Sequence, residues 1–288
     1  MQKNVNEAVF FSLLQYLDTR PIRKLKPQDL ECVFDDILND DSKLEALLGY
    51  PDGEREQASG SFPRATLPII CGSHFVGDDV CGEARKEAEG LHEGGHFKSA
   101  GMGRPSERRE DSGARGDELM WLNEASLDLF DLRGLKQIAH KIESVRRRLN
   151  SVHMRRRPAN VPERASADNR PLDEEDGGPF SKSEIQLTRY PGGGSRYVRH
   201  LDASQSNNRL LTLIVYLNPD WQTKHGGELR ALTESEQVDI PPLMDTFVLF
   251  RSDMIEHEVL PCYCERYAVS CWFHVHTDCI SSGKDDVA

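Results

Sequence analysis

Three apolar segments in the last third of the chain constrain its fold most. Leu210–Leu217 (LLTLIVYL), Thr246–Phe250 (TFVLF) and Arg266–Val275 (RYAVSCWFHV) are short and rich in β-branched and aromatic residues, and turn-forming stretches bound them. Buried strands read this way. Each is far shorter than the roughly 18 apolar residues that would read as a membrane-crossing helix. Strands of this length and spacing point to a jelly-roll-like sandwich or barrel over residues 183–279.

The upstream chain reads as helical support. Residues 1–48 carry two apolar stripes. Val9, Phe10, Leu13, Leu14 and Leu17 form the first. The second starts at Pro27 and aligns Leu30, Val33, Phe34, Ile37 and Leu38. Residues 49–66 are polar and breaker-rich, hence a linker. A strand follows at Leu67–Cys71, a helix at Asp78–Leu91 and a strand at Glu118–Leu122. From Ser126 onward, Leu129, Leu132, Leu135, Ile138, Ile142, Val145 and Leu149 recur at helical spacing and predict one long amphipathic helix. Arg146–Arg148 would close it, cations suited to a helix C-terminus. Residues 151–182 hold few large apolar side chains and are expected to be a disordered insert. The six arginines at 146–148 and 155–157 have two readings, a nuclear-localisation or anion-binding patch and a solvated basic face. Residues 280–288 form a tail.

Charge and cysteine usage narrow the function classes. With 36 Lys+Arg against 48 Asp+Glu the chain carries a formal charge of −12, a poor match for nucleic acid. Mean hydropathy is −0.59, unlike a polytopic membrane protein. The apolar stretch Ala8–Leu17 lacks the small-residue site of a secretory leader. No sustained heptad or exposed apolar strand edge is evident. The expectation is therefore a cytoplasmic monomer with access to the nucleus and no nucleic-acid or membrane partner. Seven cysteines are too few and too scattered for a disulfide framework. Cys262, Cys264, Cys271 and Cys279 with His274 and His276 admit a zinc site, although the paired Cys-x-x-Cys knuckles of such sites are missing.

The chemistry concentrates in the β-rich zone. In Tyr197-Val-Arg-His-Leu-Asp202, residues two apart share a strand face, so His200 and Asp202 point the same way. An imidazole and a carboxylate aimed together make two-thirds of a facial triad for non-haem Fe(II), and His257 is placed to complete it. Taken alone, a His-x-Asp pair is weak evidence, and a surface pair is its default reading. Arg266 is what favours the site. It shares a strand face with Ala268, Ser270 and Trp272, and a guanidinium inside a β-barrel is costly unless a carboxylate meets it. The distal carboxylate of 2-oxoglutarate supplies such a bidentate partner. Tyr216, on the face of Thr212 and Ile214, can donate a second hydrogen bond. Tyr190, before the turn Pro191–Gly194, can reach the other end of the cosubstrate.

Several motifs together resemble one family. The run YPGGGSRYVRHLD (190–202), YLNPDW (216–221), GGELR (226–230) and HEVLP (257–261) followed by Arg266-Tyr267 are similar to the iron-binding region of the hypoxia-inducible-factor type prolyl 4-hydroxylases. The likeness extends upstream through LHEGGHF (91–97) and RGDELMW (115–121), covering roughly 67–279. It implies a mainly β fold: a double-stranded β-helix (jelly-roll, cupin-like) core with supporting α-helices, α+β overall. It also implies His200, Asp202 and His257 as iron ligands, with Arg266, Tyr216, Tyr190 and Ser270 around 2-oxoglutarate. Arg209, Trp272 and Trp121 would lie beside a bound peptide, and Asp117 would pair with Arg209 as a hairpin closes. The implied cofactors are Fe(II), 2-oxoglutarate, O2 and L-ascorbate. The implied partner is a protein presenting a prolyl residue, either a transcription factor or a ubiquitin-ligase adaptor. The collagen-type relatives resemble the chain less, since they use Lys where Arg266 stands. The alternatives are a 2-oxoglutarate oxygenase acting on another residue or substrate, and a non-catalytic cupin-like binding module.

Overall fold

The computed structural model describes residues 18–50, 64–101, 114–156, 178–204 and 207–275. The strands are β1 (Ile22–Lys24), β2 (Ile69–Gly72), β3 (Lys98–Ser99), β4 (Glu118–Leu122), β5 (Phe180–Lys182), β6 (Ile185–Tyr190) and β7 (Ser195–His200). They continue with β8 (Arg209–Tyr216), β9 (Leu229–Leu232), β10 (Gln237–Ile240), β11 (Phe247–Arg251), β12 (Glu256–Cys262) and β13 (Arg266–Val275). The helices are α1 (Phe34–Asn39), α2 (Asp41–Leu48), α3 (Asp78–Glu93), α4 (Glu124–Leu129) and α5 (Arg133–Arg156).

Two sheets form the jelly roll. The major sheet runs β2-β11-β8-β13-β6-β4-β3, with β5 also pairing β13, and the minor sheet runs β1-β10-β9-β12-β7. Period two decides what each face of the major sheet does. Along β13, Tyr267, Val269, Cys271 and Phe273 join the core beneath the helices, while Arg266, Ala268, Ser270 and Trp272 line a cavity between the sheets. Along β8, Leu211, Leu213 and Val215 pack under the helices, and Thr212 and Ile214 face the cavity. The three strands expected from the apolar runs are all present, displaced by at most one residue at their ends.

The helical layer departs from the periodicity. The single helix expected from Ser126 is two helices, broken where Asp131 adopts a left-handed φ of 51°. Leu129, expected in the buried stripe, is 79% exposed, and Leu127 is buried in its place. Helix α5 then starts with Gly134 against α3. A Cβ there would lie 2.5 Å from the Ala84 nitrogen, so only glycine permits this approach. The Glu87 carboxylate of α3 accepts the backbone N–H groups of Gly134 and Leu135, giving α5 a cap that local sequence cannot reveal.

The arginine cluster is also structural. Helix α5 does not end at Arg148 but continues to Arg156, so the expected insert is ordered at this end. Arg148 donates to the Leu38 carbonyl and pairs with Asp41, as does Arg155, and Arg156 pairs with Glu45. The insert's other end is ordered too. Arg146 donates to the Phe180 carbonyl, and the Asn150 side chain accepts from the Phe180 N–H, which fastens β5 to the helix. These arginines thus bind α2 and β5; Arg157 lies outside the described residues. The second N-terminal stripe is likewise not one helix. Residues 27–30 form a 3-10 turn, then the Phe34 N–H donates to the Ser73 carbonyl and the Ser73 N–H to the Cys32 carbonyl. That bridge draws residues 32 and 33 out of helical conformation. The first stripe, at 9–17, lies outside the described residues.

Candidate metal and cosubstrate site

A cavity of about 870 Å³ between the sheets gathers the residues singled out by sequence, apart from Tyr216, which lies buried in the apolar cluster beside it. His257 on β12 sits directly across the antiparallel ladder from His200 on β7. Asp202 lies in the bend just past β7 rather than in the strand, yet its side chain reaches both imidazoles. Its oxygens lie 3.6 Å from His200 Nε2 and 3.7 Å from His257 Nε2, and one ligand atom from each residue falls within 4.8 Å of the others.

The surroundings fix the donor atoms. His200 Nδ1 lies 2.9 Å from the Val198 carbonyl and His257 Nδ1 3.2 Å from the Ile255 carbonyl. A carbonyl can only accept, so each Nδ1 carries the proton and Nε2 keeps its lone pair for a metal. Thr212 Oγ1 donates to Asp202 at 2.8 Å and is itself held by Ser252. Burial by itself would raise the Asp202 carboxyl pKa, but the neighbouring imidazoles of His257 and His200 and the Thr212 hydroxyl outweigh it, and the net effect is a strong depression. Burial pushes His257 down to about 4, against the opposing pull of Asp202. At neutral pH the carboxylate is ionised and the His257 imidazole neutral, as ligation requires. Two imidazoles and one carboxylate converging from one side fit a divalent iron that keeps open positions.

One pH dependence follows. Below about 6.5 the unfolded chain protonates His257, whereas the folded protein resists doing so until about 4. The unfolded state binds more protons across that window, so stability rises with pH there. Asp202, depressed below its unfolded value, adds loss in the same direction at more acidic pH. Metal-free protein is therefore expected to lose on the order of 3 kcal/mol as pH falls from 6.5 towards 4. Denaturant titration in chelator measures this, and a His257→Asn variant should give a flatter profile.

The opposite end of the cavity is built to receive an anion. Arg266 is 4% exposed, and its guanidinium lies 5.0 Å from the ring centroids of both Tyr190 and Tyr216. Its Nε donates to the Gly227 carbonyl at 2.8 Å, but no carboxylate among the described residues pairs with it. Gly227 has φ +78°, and a Cβ there would lie 2.6 Å from Cys262 Sγ and 3.0 Å from Arg266 Cδ. Glycine lets this loop close over the arginine. The Tyr216 hydroxyl is buried without a hydrogen-bond partner, and burial raises its pKa to about 12, so it stays protonated as a donor. A buried cation and a buried free donor, side by side, match the distal carboxylate of a dicarboxylic acid. Tyr190 pairs across the sheet with Arg266, and Ser270 faces the same cavity.

Near the mouth, one expected contact is absent. Asp117 does not pair with Arg209. Its fully buried carboxylate meets Arg115, two residues away, through two bonds of 2.7 and 3.0 Å. Both residues belong to one short segment, which makes this fork-to-fork pair local. Arg209 instead lies 4.0 Å over the Trp272 ring, with its Nε unpartnered, and Trp121 meets Trp272 at 5.7 Å between centroids. Sequence reasoning passed over Tyr197, Thr212 and Arg115 as site residues, although all three line the cavity. The signal for Tyr197 is hidden by a bulge. The register pairs His257 with His200 and Val259 with Tyr197, so β7 carries one more residue than β12 over this interval. The extra residue brings Tyr197 to the side of His200, against strict alternation. Among the described residues the zinc alternative finds no convergence, because Cys271 lies under the helices, Cys262 is buried between the sheets and Cys264 is exposed. His276 and Cys279 lie outside the described residues.

Residues 185–274 match the family model described as the 2OG-Fe(II) oxygenase superfamily. The chain is 41% identical over 96 residues to the mouse prolyl hydroxylase EGLN3, covering 32% of this chain and 40% of that protein. It is 30% identical over 207 residues to the hypoxia-inducible factor prolyl hydroxylase of Caenorhabditis elegans, covering 69% of this chain and 25% of that one. Both matches span less than half of the relative's own length. Among solved structures, a Trichoplax adhaerens prolyl hydroxylase in complex with a peptide of the hypoxia inducible factor oxygen degradation domain aligns with a TM-score of 0.58 at 23% identity. That alignment covers 76% of this chain and 88% of that one. A Pseudomonas putida prolyl-4-hydroxylase aligns with a TM-score of 0.56 at 24% identity, over 72% and 92% of the two chains. At these identities the structural likeness is one of fold.

Proposed function

We propose, from the 2OG-Fe(II) oxygenase domain that residues 185–274 match, that the chain is a peptidyl-prolyl 4-hydroxylase. One observation carries the reading: a single cavity holds His200, Asp202 and His257 together with Arg266, which no carboxylate among the described residues pairs, and the buried Tyr216 hydroxyl stands unpaired beside that guanidinium. Fe(II) would be held by the triad, and with 2-oxoglutarate and O2 it supplies the oxidising chemistry that places a hydroxyl on C4 of a prolyl residue, leaving succinate and CO2.

The chain's own residues do the rest. Arg266 and Tyr216 bind and orient the cosubstrate, and Thr212 fixes the Asp202 carboxylate. The two backbone carbonyls hold the imidazole protons away from the metal. Trp121, Trp272 and Arg209 offer a flat, cationic wall against which an extended peptide can lie.

Finer elements of the proposal are ascorbate as the reductant that keeps iron divalent, and a prolyl substrate within a transcription factor or a ubiquitin-ligase adaptor. A role in oxygen sensing, and a monomer working in the cytoplasm and nucleus, complete it. No helix among the described residues is long and apolar enough to cross a membrane.

Mass spectrometry of proline-containing peptides after incubation with Fe(II), ascorbate and 2-oxoglutarate tests the reading. The expected product is one oxygen atom on a proline with matching succinate. Oxidation of a different residue type would reassign the substrate. A chain that binds iron nowhere and consumes no 2-oxoglutarate would be a binding module instead.

A further inference from the structure

His257 and His200 are supported unequally. The His257 side chain is 5% exposed and meets Phe250 edge-on at 4.8 Å, so packing fixes its ring. The His200 side chain is 19% exposed, and its one backbone hydrogen bond leaves the tilt of the ring open. Tyr197 supplies what is missing. Its ring stacks on the His200 imidazole with 3.8 Å between centroids and 21° between planes.

Tyr197 is braced in turn. The Arg115 guanidinium lies 4.4 Å from the Tyr197 centroid and is clamped by the two bonds to Asp117. The backbone of that segment is anchored as well. The Gly116 N–H donates to the Arg196 carbonyl and the Val198 N–H to the Ala114 carbonyl, both at 2.9 Å, which adds a short rung to the open edge of β7. A Cβ on Gly116 would come within 3.2 Å of Ser195 Cβ, so glycine keeps the rung close.

We infer that Arg115 and Tyr197 are positioning residues: the relay Asp117–Arg115–Tyr197–His200 sets the orientation of one metal ligand from a neighbouring segment that lines the cavity. The affinity and geometry of the metal centre then depend on residues that do not touch the metal. The cation over the ring and the stacked imidazole each contribute in the range of aromatic and outer-shell support. The inference rests on the reading of His200, Asp202 and His257 as metal ligands.

Co(II) binding to the full chain without 2-oxoglutarate, followed by titration and by the d–d absorption spectrum, is the test. Tyr197→Leu is expected to weaken Co(II) binding about tenfold and to alter the spectrum, while Tyr197→Phe, which keeps the stack, stays within about twofold of wild type. Arg115→Gln should weaken binding by roughly three- to fivefold, with part of the loss restored in Arg115→Lys. Folding of each variant is checked by thermal denaturation, and if Tyr197→Leu does not fold, Arg115→Gln decides alone. Wild-type affinity and an unchanged spectrum in the folded variants would overturn the relay while leaving the metal site intact. Absence of Co(II) binding in the wild-type chain would remove the metal reading as well.

Discussion

Asp202→Ala is expected to lower Fe(II) affinity by more than about 100-fold, beyond the upper end of what losing an outer-shell partner costs, and to bring 2-oxoglutarate turnover below detection. Asp202 is the only carboxylate in the triad and lies within 3.7 Å of both imidazole Nε2 atoms. Without it the site offers two imidazoles and no charge to a divalent cation. The metal-free variant should stay folded, because Thr212 keeps its hydrogen bond to Ser252 and a buried charge has been removed. Thermal denaturation with and without Mn(II) reads both effects at once. A variant that keeps the metal-induced rise in Tm would place the metal elsewhere.

Arg266→Met separates binding from stability. Removing the buried guanidinium should weaken 2-oxoglutarate binding by about 3 kcal/mol, roughly 100-fold, since the incoming carboxylate would be left buried and unpaired. The effect should appear mainly in the 2-oxoglutarate KM, with a smaller fall in kcat, because Arg266 sits at the end of the cavity remote from the triad. The cosubstrate-free protein is expected to gain stability, as a buried cation with no carboxylate gives way to an apolar side chain of similar reach. Arg266→Lys keeps the charge but loses the planar fork, and should recover only part of the affinity. Unchanged 2-oxoglutarate binding in Arg266→Met would sink the assignment of this end of the cavity.

How much was legible before the fold was known follows from the range of each signal. Alternation along β13 assigned Arg266, Ser270 and Trp272 to one face, and the structure lines the cavity with them. The pairing of His257 with His200 agrees with the triad that strand alternation suggested and the family resemblance implied. Patterns failed where a distant contact overrode a local preference. Asp131 breaks a continuous helical stripe, and Glu87 caps the restarted helix from another element. Arg148, Arg155 and Arg156, which read as a charged surface run, are consumed by Asp41 and Glu45. Asp117, expected to meet Arg209 as the hairpin closes over a peptide, meets Arg115 in this structure, a partner that the motif alone did not single out.

The sequence by itself determined the chemistry: which residues could ligate a metal, which cation would meet a dicarboxylate, and that period-two strands would carry them. Those are properties of residue type and near-neighbour spacing, which a strand transmits directly. The tertiary structure alone decided which side chains support them. The bulge that turns Tyr197 onto His200 and the seating of Arg115 on the Tyr197 ring depend on register between strands and on segments far apart in the chain. So does the closure of Gly227 over Arg266. A one-residue shift in pairing is invisible in a pattern of hydrophobicity, yet it changes what a catalytic imidazole rests against.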